Sequence, residues 1–200
     1  MKRIGCWCEV QRYALVLAVC LLVFFIQVVG GYVAGSVAVL ADSAHVASDT
    51  ASTGLSLIIA TLARTHHDEH GLRDFWSRVS AFLLFLVLAW IAWEAVERLC
   101  SPQEVDGQLV VAVASAGLLG NLIQYRLLYR EKTSTGRVQR LHILQDLASS
   151  AAVVVGGVCV WAFGWSAIDP WLSLGIVAFM IPAALLRTFG KADAHHGHHH

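Results

Sequence analysis

The feature that most constrains this chain is its succession of long apolar runs, each close to the roughly 20 residues an α-helix needs to cross the hydrocarbon core of a bilayer. Six segments meet or approach that length: Tyr13–Tyr32, Ser36–Leu62, Phe75–Leu99, Gln108–Leu128, Arg140–Trp165 and Pro170–Leu186. Turn signals separate them at Gly30-Gly31 and Gly35, over Thr65–Asp74, at Ser101-Pro102, over Thr133–Gly136 and at Asp169-Pro170. With 57% hydrophobic and only 14% charged residues among 200, the chain has too little charged surface for a soluble domain of this length. The expected fold class is therefore all-α, a polytopic membrane protein with six transmembrane helices. The first run is too long for a signal-peptide core and no A-x-A cleavage site follows it, so it reads as a retained span. A formal net charge of zero gives no bulk electrostatic case for nucleic acid. The five cysteines (Cys6, Cys8, Cys20, Cys100, Cys159) are scattered and odd in number, which does not suggest a disulfide framework.

The Lys/Arg distribution orients the spans. With both termini cytoplasmic, Lys2, Arg3 and Arg12 lie inside, as do Arg64, Arg73 and Arg78 around the second–third connection. Arg126, Arg130, Lys132, Arg137 and Arg140 surround the fourth–fifth connection, and Arg187 and Lys191 follow the last span. Only Arg98 falls outside, beside Glu94, Glu97, Glu104 and Asp106. The organisation expected is a cytoplasmic segment over 1–12, a six-helix transport domain over 13–188 and a His-rich cytoplasmic tail over 189–200.

Ionisable groups within spans are the informative ones, because each costs about 2.5–3.5 kcal/mol on insertion scales. The second and fifth spans carry the same phrase, H-x-x-x-D-x-A-S, at His45–Ser52 and His142–Ser149. Positions i and i+4 share a helix face. Each helix thus presents one imidazole and one carboxylate, and two such helices offer two nitrogens and two oxygens. That tetrahedral set suits Zn²⁺ at about 2.0–2.2 Å; softer ions prefer thiolates and Mg²⁺ prefers oxygen. In the expected topology the second helix runs inward and the fifth outward, so each His can lie level with the other helix's Asp. A phrase repeated in opposed spans is also the mark of an inverted repeat with its site at the interface. The competing reading, two unrelated His–Asp pairs acting as polar glue between helices, does not account for the repetition. The candidate metal site is His45, Asp49, His142 and Asp146. Small residues nearby, including Ser43, Ser48 and Gly54 in one helix and Ala148, Ser149, Ser150, Gly156 and Gly157 in the other, would allow close approach.

The two phrases sit at different depths in their apolar runs, His142 near the cytoplasmic end and His45 a few turns from the outer end. Their levels coincide only if the helices tilt, the fifth extends beyond the bilayer, or a water-filled cavity reaches the site from inside.

Several other residues have a functional and a plain reading. Asp42 shares the face of His45 and Asp49 and is either a partner behind the ligands, ordering them or water, or a solvated group at the outer mouth. Asn121 reads as helix–helix glue. The loop residues His66, His67, Asp68, Glu69 and His70 could capture metal at the entrance or form a solvated turn. Cys6 and Cys8 read as ordinary thiols. The tail His195-His196-Gly197-His198-His199-His200 can bind metal, as a native segment or as a purification tag. Trp161, Trp165 and Trp171 fit an interfacial belt. Asp169 reads as the N-cap of the last helix, with Pro170 at its first position.

At these residues the sequence resembles the cation diffusion facilitator family. The resemblance is carried by Ser36–Asp49, by Trp93–Leu99 followed by Pro102, by Gly120-Asn121, and by His142-x-x-x-Asp146. It implies six transmembrane helices, a metal site at His45, Asp49, His142 and Asp146, exchange of Zn²⁺ for protons, and commonly a homodimer. Paired His–Asp ligands look like the zinc-preferring branch. Members commonly carry a cytoplasmic ferredoxin-like domain after the sixth helix; here only Leu185–His200 remains, so the sequence reads either as a member lacking that domain or as a truncated one. The expected function is secondary-active export of Zn²⁺ across the cell (inner) membrane in exchange for protons, with Cd²⁺, Co²⁺ and Fe²⁺ as related cargo and no organic cofactor. A membrane zinc enzyme is the main alternative, weakened by four ligands instead of three and by the absence of H-E-x-x-H; a transport-inactive metal sensor is another.

Overall fold

The computed structural model describes residues 7–62, 69–128 and 134–189; within these ranges the side chains at 7–13, 48, 49, 51–53, 55–62, 69–77, 128, 134–143 and 182–189 lie outside the description. The described residues form six helices: α1 (Trp7–Ala34), α2 (Val37–Leu62), α3 (Glu69–Cys100), α4 (Gly107–Leu128), α5 (Ser134–Phe163) and α6 (Ile168–Phe189). All six expected spans are present. The helices α1, α3 and α5 begin about six residues before the apolar runs do, because hydropathy marks only the part suited to hydrocarbon while intrahelical hydrogen bonding continues into polar turns.

The surface is the inverse of a soluble protein's. Leu22, Phe25, Phe82, Trp93 and Phe179 stand mostly exposed, whereas Gln27, Ser36, Asp42, Asn121 and Ser150 are buried. Lipid as solvent accounts for both halves of that pattern, since it accepts apolar side chains and drives polar ones to each other. Apolar stretches long enough to cross a membrane occupy Ala14–Ala34, Arg78–Cys100, Gly107–Leu127 and Leu144–Phe163; α2 and α6 carry shorter ones at Val37–Ala47 and Ile168–Ile181 within the described residues.

Helices α1, α2, α4 and α5 pack as a group, and α3 pairs with α6 against α2. Helix α2 is the centre, touching each of the other five. Its first turns are correspondingly apolar and small: Val37, Ala38, Val39, Ala41 and Ala44 are buried with Leu88, Ile91, Val110, Val113 and Val153. The α1–α4 crossing is close because glycine permits it. A Cβ at Gly117 would collide with the Gln27 amide, and one at Gly30 with Val113. The small residues expected to join α2 to α5 serve other neighbours in part: Gly157 receives Val110 and Val111 of α4, and Gly156 receives Leu172 of α6.

One end of the bundle is tied by polar contacts. Helix α1 stops in a Schellman turn, with Ser36 N–H on Gly31 C=O at 2.9 Å and Gly35 at φ 66°, a conformation that favours glycine. Ser36 then caps α2, its Oγ accepting Val39 N–H at 3.1 Å. Here the reading of Asp169 as a local cap is corrected. Helix α6 already includes it, and its carboxylate crosses to α2, accepting Ser36 Oγ–H at 2.5 Å and Val37 N–H at 2.8 Å. It therefore satisfies the exposed amides of another helix. Arg98, at the end of α3, donates to Gly35 C=O and pairs with Glu94 at 2.8 Å. The α3–α6 pair thus grips the α1–α2 corner at two points.

Candidate metal site

Helices α2 and α5 cross with opposed directions, and two successive rungs of side-chain contacts define their register. In one, His45 Nε2 lies 2.5 Å from Asp146 Oδ1, with both side chains nearly buried. In the next rung towards the start of α2, Asp42 accepts Ser149 Oγ–H at 2.5 Å and Ser150 Oγ–H at 2.8 Å. A step of three back along α2 is matched by a step of three or four forward along α5, as antiparallel helices require. The expected depth mismatch does not arise, since α5 starts at Ser134 and His45 and Asp146 are level.

Of the four expected ligands, the structure thus brings His45 and Asp146 together. Asp49 and His142 belong to α2 and α5, one turn further along the same faces, and their side chains lie outside the described residues. Among the described residues, no third His, Cys, Asp or Glu joins the pair. The loop at 66–68, the side chains of Glu69 and His70, the first thirteen side chains with Cys6 and Cys8, and the tail over 190–200 also lie outside the description.

Behind the pair is a buried polar network that the sequence reading reached only in part. Asp42 is 1% exposed, which removes the reading of a solvated group at the mouth. Besides Ser149 and Ser150 it accepts Gln27 Nε2–H of α1 at 2.6 Å. Asn121 of α4 donates to Ser150 Oγ at 3.2 Å, in keeping with its expected role as glue, and Gln124 is bonded by Cys20 Sγ–H at 3.2 Å. Ser149 and Ser150 read as packing residues in the sequence. Their offsets from Asp146 mirror the offset of Asp42 from His45, and that was the available signal.

A cavity of about 650 Å³ reaches His45 between α5 and α6. Its wall is mostly apolar, with Leu144, Trp171, Phe179 and Met180, and Gln145 and Ser149 are among the few polar groups lining it. It runs beside α6 from Trp171 to Met180 and beside α5 from Leu144 to Ala152.

A buried imidazole–carboxylate pair shared by two helices of a membrane protein is costly to retain and marks a candidate functional site. The particular family follows from comparison. A family model described as the cation efflux transmembrane domain matches residues 14–188, and the chain belongs to that family. It is 33% identical over 168 residues to the zinc transporter ZitB of Escherichia coli (strain K12), covering 80% of this chain and 54% of the relative. It is 29% identical over 164 residues to the metal cation efflux system protein CzcD of Cupriavidus metallidurans, covering 78% and 52%. It is 30% identical over 166 residues to the cadmium, cobalt and zinc/H(+)-K(+) antiporter of Bacillus velezensis, covering 78% and 53%. The chain spans about half the length of these curated relatives, which are transporters by name and not enzymes.

Proposed function

We propose that this chain is a secondary-active exporter of divalent cations that carries Zn²⁺ out of the cytoplasm in exchange for protons, through His45, Asp49, His142 and Asp146. The observation that carries the reading is the direct contact of His45 with Asp146 across two antiparallel helices. Continued one turn, the register defined by that rung makes Asp49 the counterpart of His142. The two rungs together supply two nitrogens and two oxygens, the donor set of a tetrahedral zinc site. Family membership and the names of the relatives point to the same class of cargo.

The chemistry of the donors supplies the coupling. Zinc needs neutral imidazole and ionised carboxylate, so loading releases protons and protonation expels the ion. Imidazole titrates near about 6.5 in water, within reach of cellular pH gradients. His45 Nε2 and Asp146 Oδ1 lie 2.5 Å apart. Two donors on a tetrahedral ion at about 2.0–2.1 Å stand roughly 3.3–3.4 Å apart, so the helices need spread by less than about 1 Å to admit zinc. The α3–α6 pair, gripping α2 at one end, provides a body that can rock against the other four helices and open the site to alternate sides.

Both termini lie in the cytoplasm, on the strength of the Lys/Arg bias, with the transport domain over 13–188 between a cytoplasmic segment over 1–12 and a His-rich tail over 189–200. Cd²⁺, Co²⁺ and Fe²⁺ are secondary cargo, the membrane is the inner membrane, and a homodimer is the candidate assembly. Zinc uptake into proteoliposomes tests the site. Alanine at any of the four ligands should abolish flux while the protein remains membrane-inserted; normal transport by both Asp49→Ala and His142→Ala would remove the assignment.

A further inference from the structure

We infer that Asp42 is a positioning residue, which, with Ser149 and Ser150, locks the register of α2 against α5 so that the metal-site residues of the two helices face each other level. The inference rests on the metal-site reading above and extends it to residues that do not touch the ion.

A carboxylate in a membrane helix is expensive to insert and needs a reason to remain. Asp42 is not one of the metal ligands proposed, yet it is more completely buried than either described member of the His45–Asp146 pair. Its two oxygens accept three side-chain donors from two other helices: Ser149 on Oδ1, and Ser150 and Gln27 on Oδ2. No described Lys or Arg pairs with it, so hydrogen bonds alone hold it.

The placement of those donors is what gives the network a function. Asp42 is one turn from His45, and Ser149 is one turn from Asp146 in the opposite sense. The Asp42–serine rung therefore measures the same register as the His45–Asp146 rung and lies directly beside it. A slip of α5 by one residue would carry Ser149 about 1.5 Å along the axis and turn it about 100°, breaking both serine bonds together. A single hydrogen bond could follow such a slip; a carboxylate held by adjacent serines cannot. Gln27 and the Asn121–Ser150 bond extend the lock to α1 and α4, so one network ties the register to four helices. Partners that orient metal ligands from behind typically change affinity by about 10–100-fold when removed.

The test is zinc binding to the purified full chain, read as the saturable component that His45→Ala removes, so that the tail histidines do not contribute. Asp42→Ala and Ser149→Ala/Ser150→Ala should each weaken that component by roughly 10–100-fold, whereas Asp42→Asn should stay within about threefold of the parent. Asparagine keeps one acceptor for a serine. Its amide can donate to the other serine or to Gln27 Oε1, which has no hydrogen-bond partner among the described residues. If Asp42→Asn is as damaging as Asp42→Ala, charge and not position is what the site needs, and the inference is wrong. It is equally wrong if the double serine variant binds zinc as the parent does. Should Asp42→Ala fail to fold, the other two variants still decide. If His45→Ala removes no zinc binding, the metal-site reading falls instead, and the two failures are distinct.

Discussion

Asp169→Ala should destabilise the bundle at the corner where α1 turns into α2. The substitution deletes two short hydrogen bonds, from Ser36 Oγ at 2.5 Å and from Val37 N at 2.8 Å, in a site where Asp169 is 3% exposed. It also removes an anion from the start of α2, where the helix dipole favours one. Two scales bear on the magnitude. Leaving a buried donor unsatisfied costs about 1–3 kcal/mol in soluble proteins. Interhelical hydrogen bonds in membranes average only about 0.6 and reach about 1.7 kcal/mol, because the unfolded chain in the bilayer also finds partners. The membrane scale applies here, and two bonds give roughly 1–3 kcal/mol. Asp169→Asn keeps one acceptor and should lose about half. Unfolding in mixed micelles, followed by tryptophan fluorescence, measures this with Ser36→Ala and the double variant completing a cycle. A coupling of about 1 kcal/mol between positions 36 and 169 is expected. Additivity within about 0.3 kcal/mol, with Asp169→Ala matching the parent, would show that the carboxylate does not tie α6 to α2.

Two further outcomes follow from the site and the packing. His45→Asp, which replaces a nitrogen donor by oxygen, should broaden the ion range towards Mn²⁺ in competition flux assays, since imidazole favours zinc and oxygen favours harder ions; an unchanged profile would move selectivity to the helix packing. Gly117→Ala should lower stability by about 1–3 kcal/mol, because its Cβ would strike the Gln27 amide at the α1–α4 crossing, and a melting temperature equal to the parent's would refute the closeness of that contact.

The helices were legible because the insertion of apolar runs is a local property of about 20 residues, readable without knowing any partner. The facing of His45 and Asp146 was legible for a different reason. A phrase repeated in two spans, combined with their opposed directions, predicts which residues meet. What escaped depended on contacts between distant parts of the chain. Asp169 precedes a proline, a local cap signal, and nothing nearby in sequence reveals that its carboxylate serves α2, more than a hundred positions earlier. Ser149 and Ser150 looked like spacers for close packing, since hydroxyls are small as well as polar. Only the depth of Asp42 reveals that it needs them. The cavity beside His45, between α5 and α6, was not legible either, since no local pattern encodes the gap left where two helices diverge.

The central claim is that the His–Asp site exchanges zinc for protons, and one measurement addresses it directly. The full chain is reconstituted in vesicles loaded with a pH-sensitive dye, zinc is added outside with the membrane potential clamped, and zinc and proton fluxes are recorded together for the parent and for His45→Ala. The account predicts that zinc entry drives protons outward, that an opposing pH gradient slows it, and that both signals vanish together in His45→Ala. Zinc entry in the parent with no proton signal and a rate indifferent to the gradient would contradict the exchange, and undiminished coupled flux in His45→Ala would contradict the site.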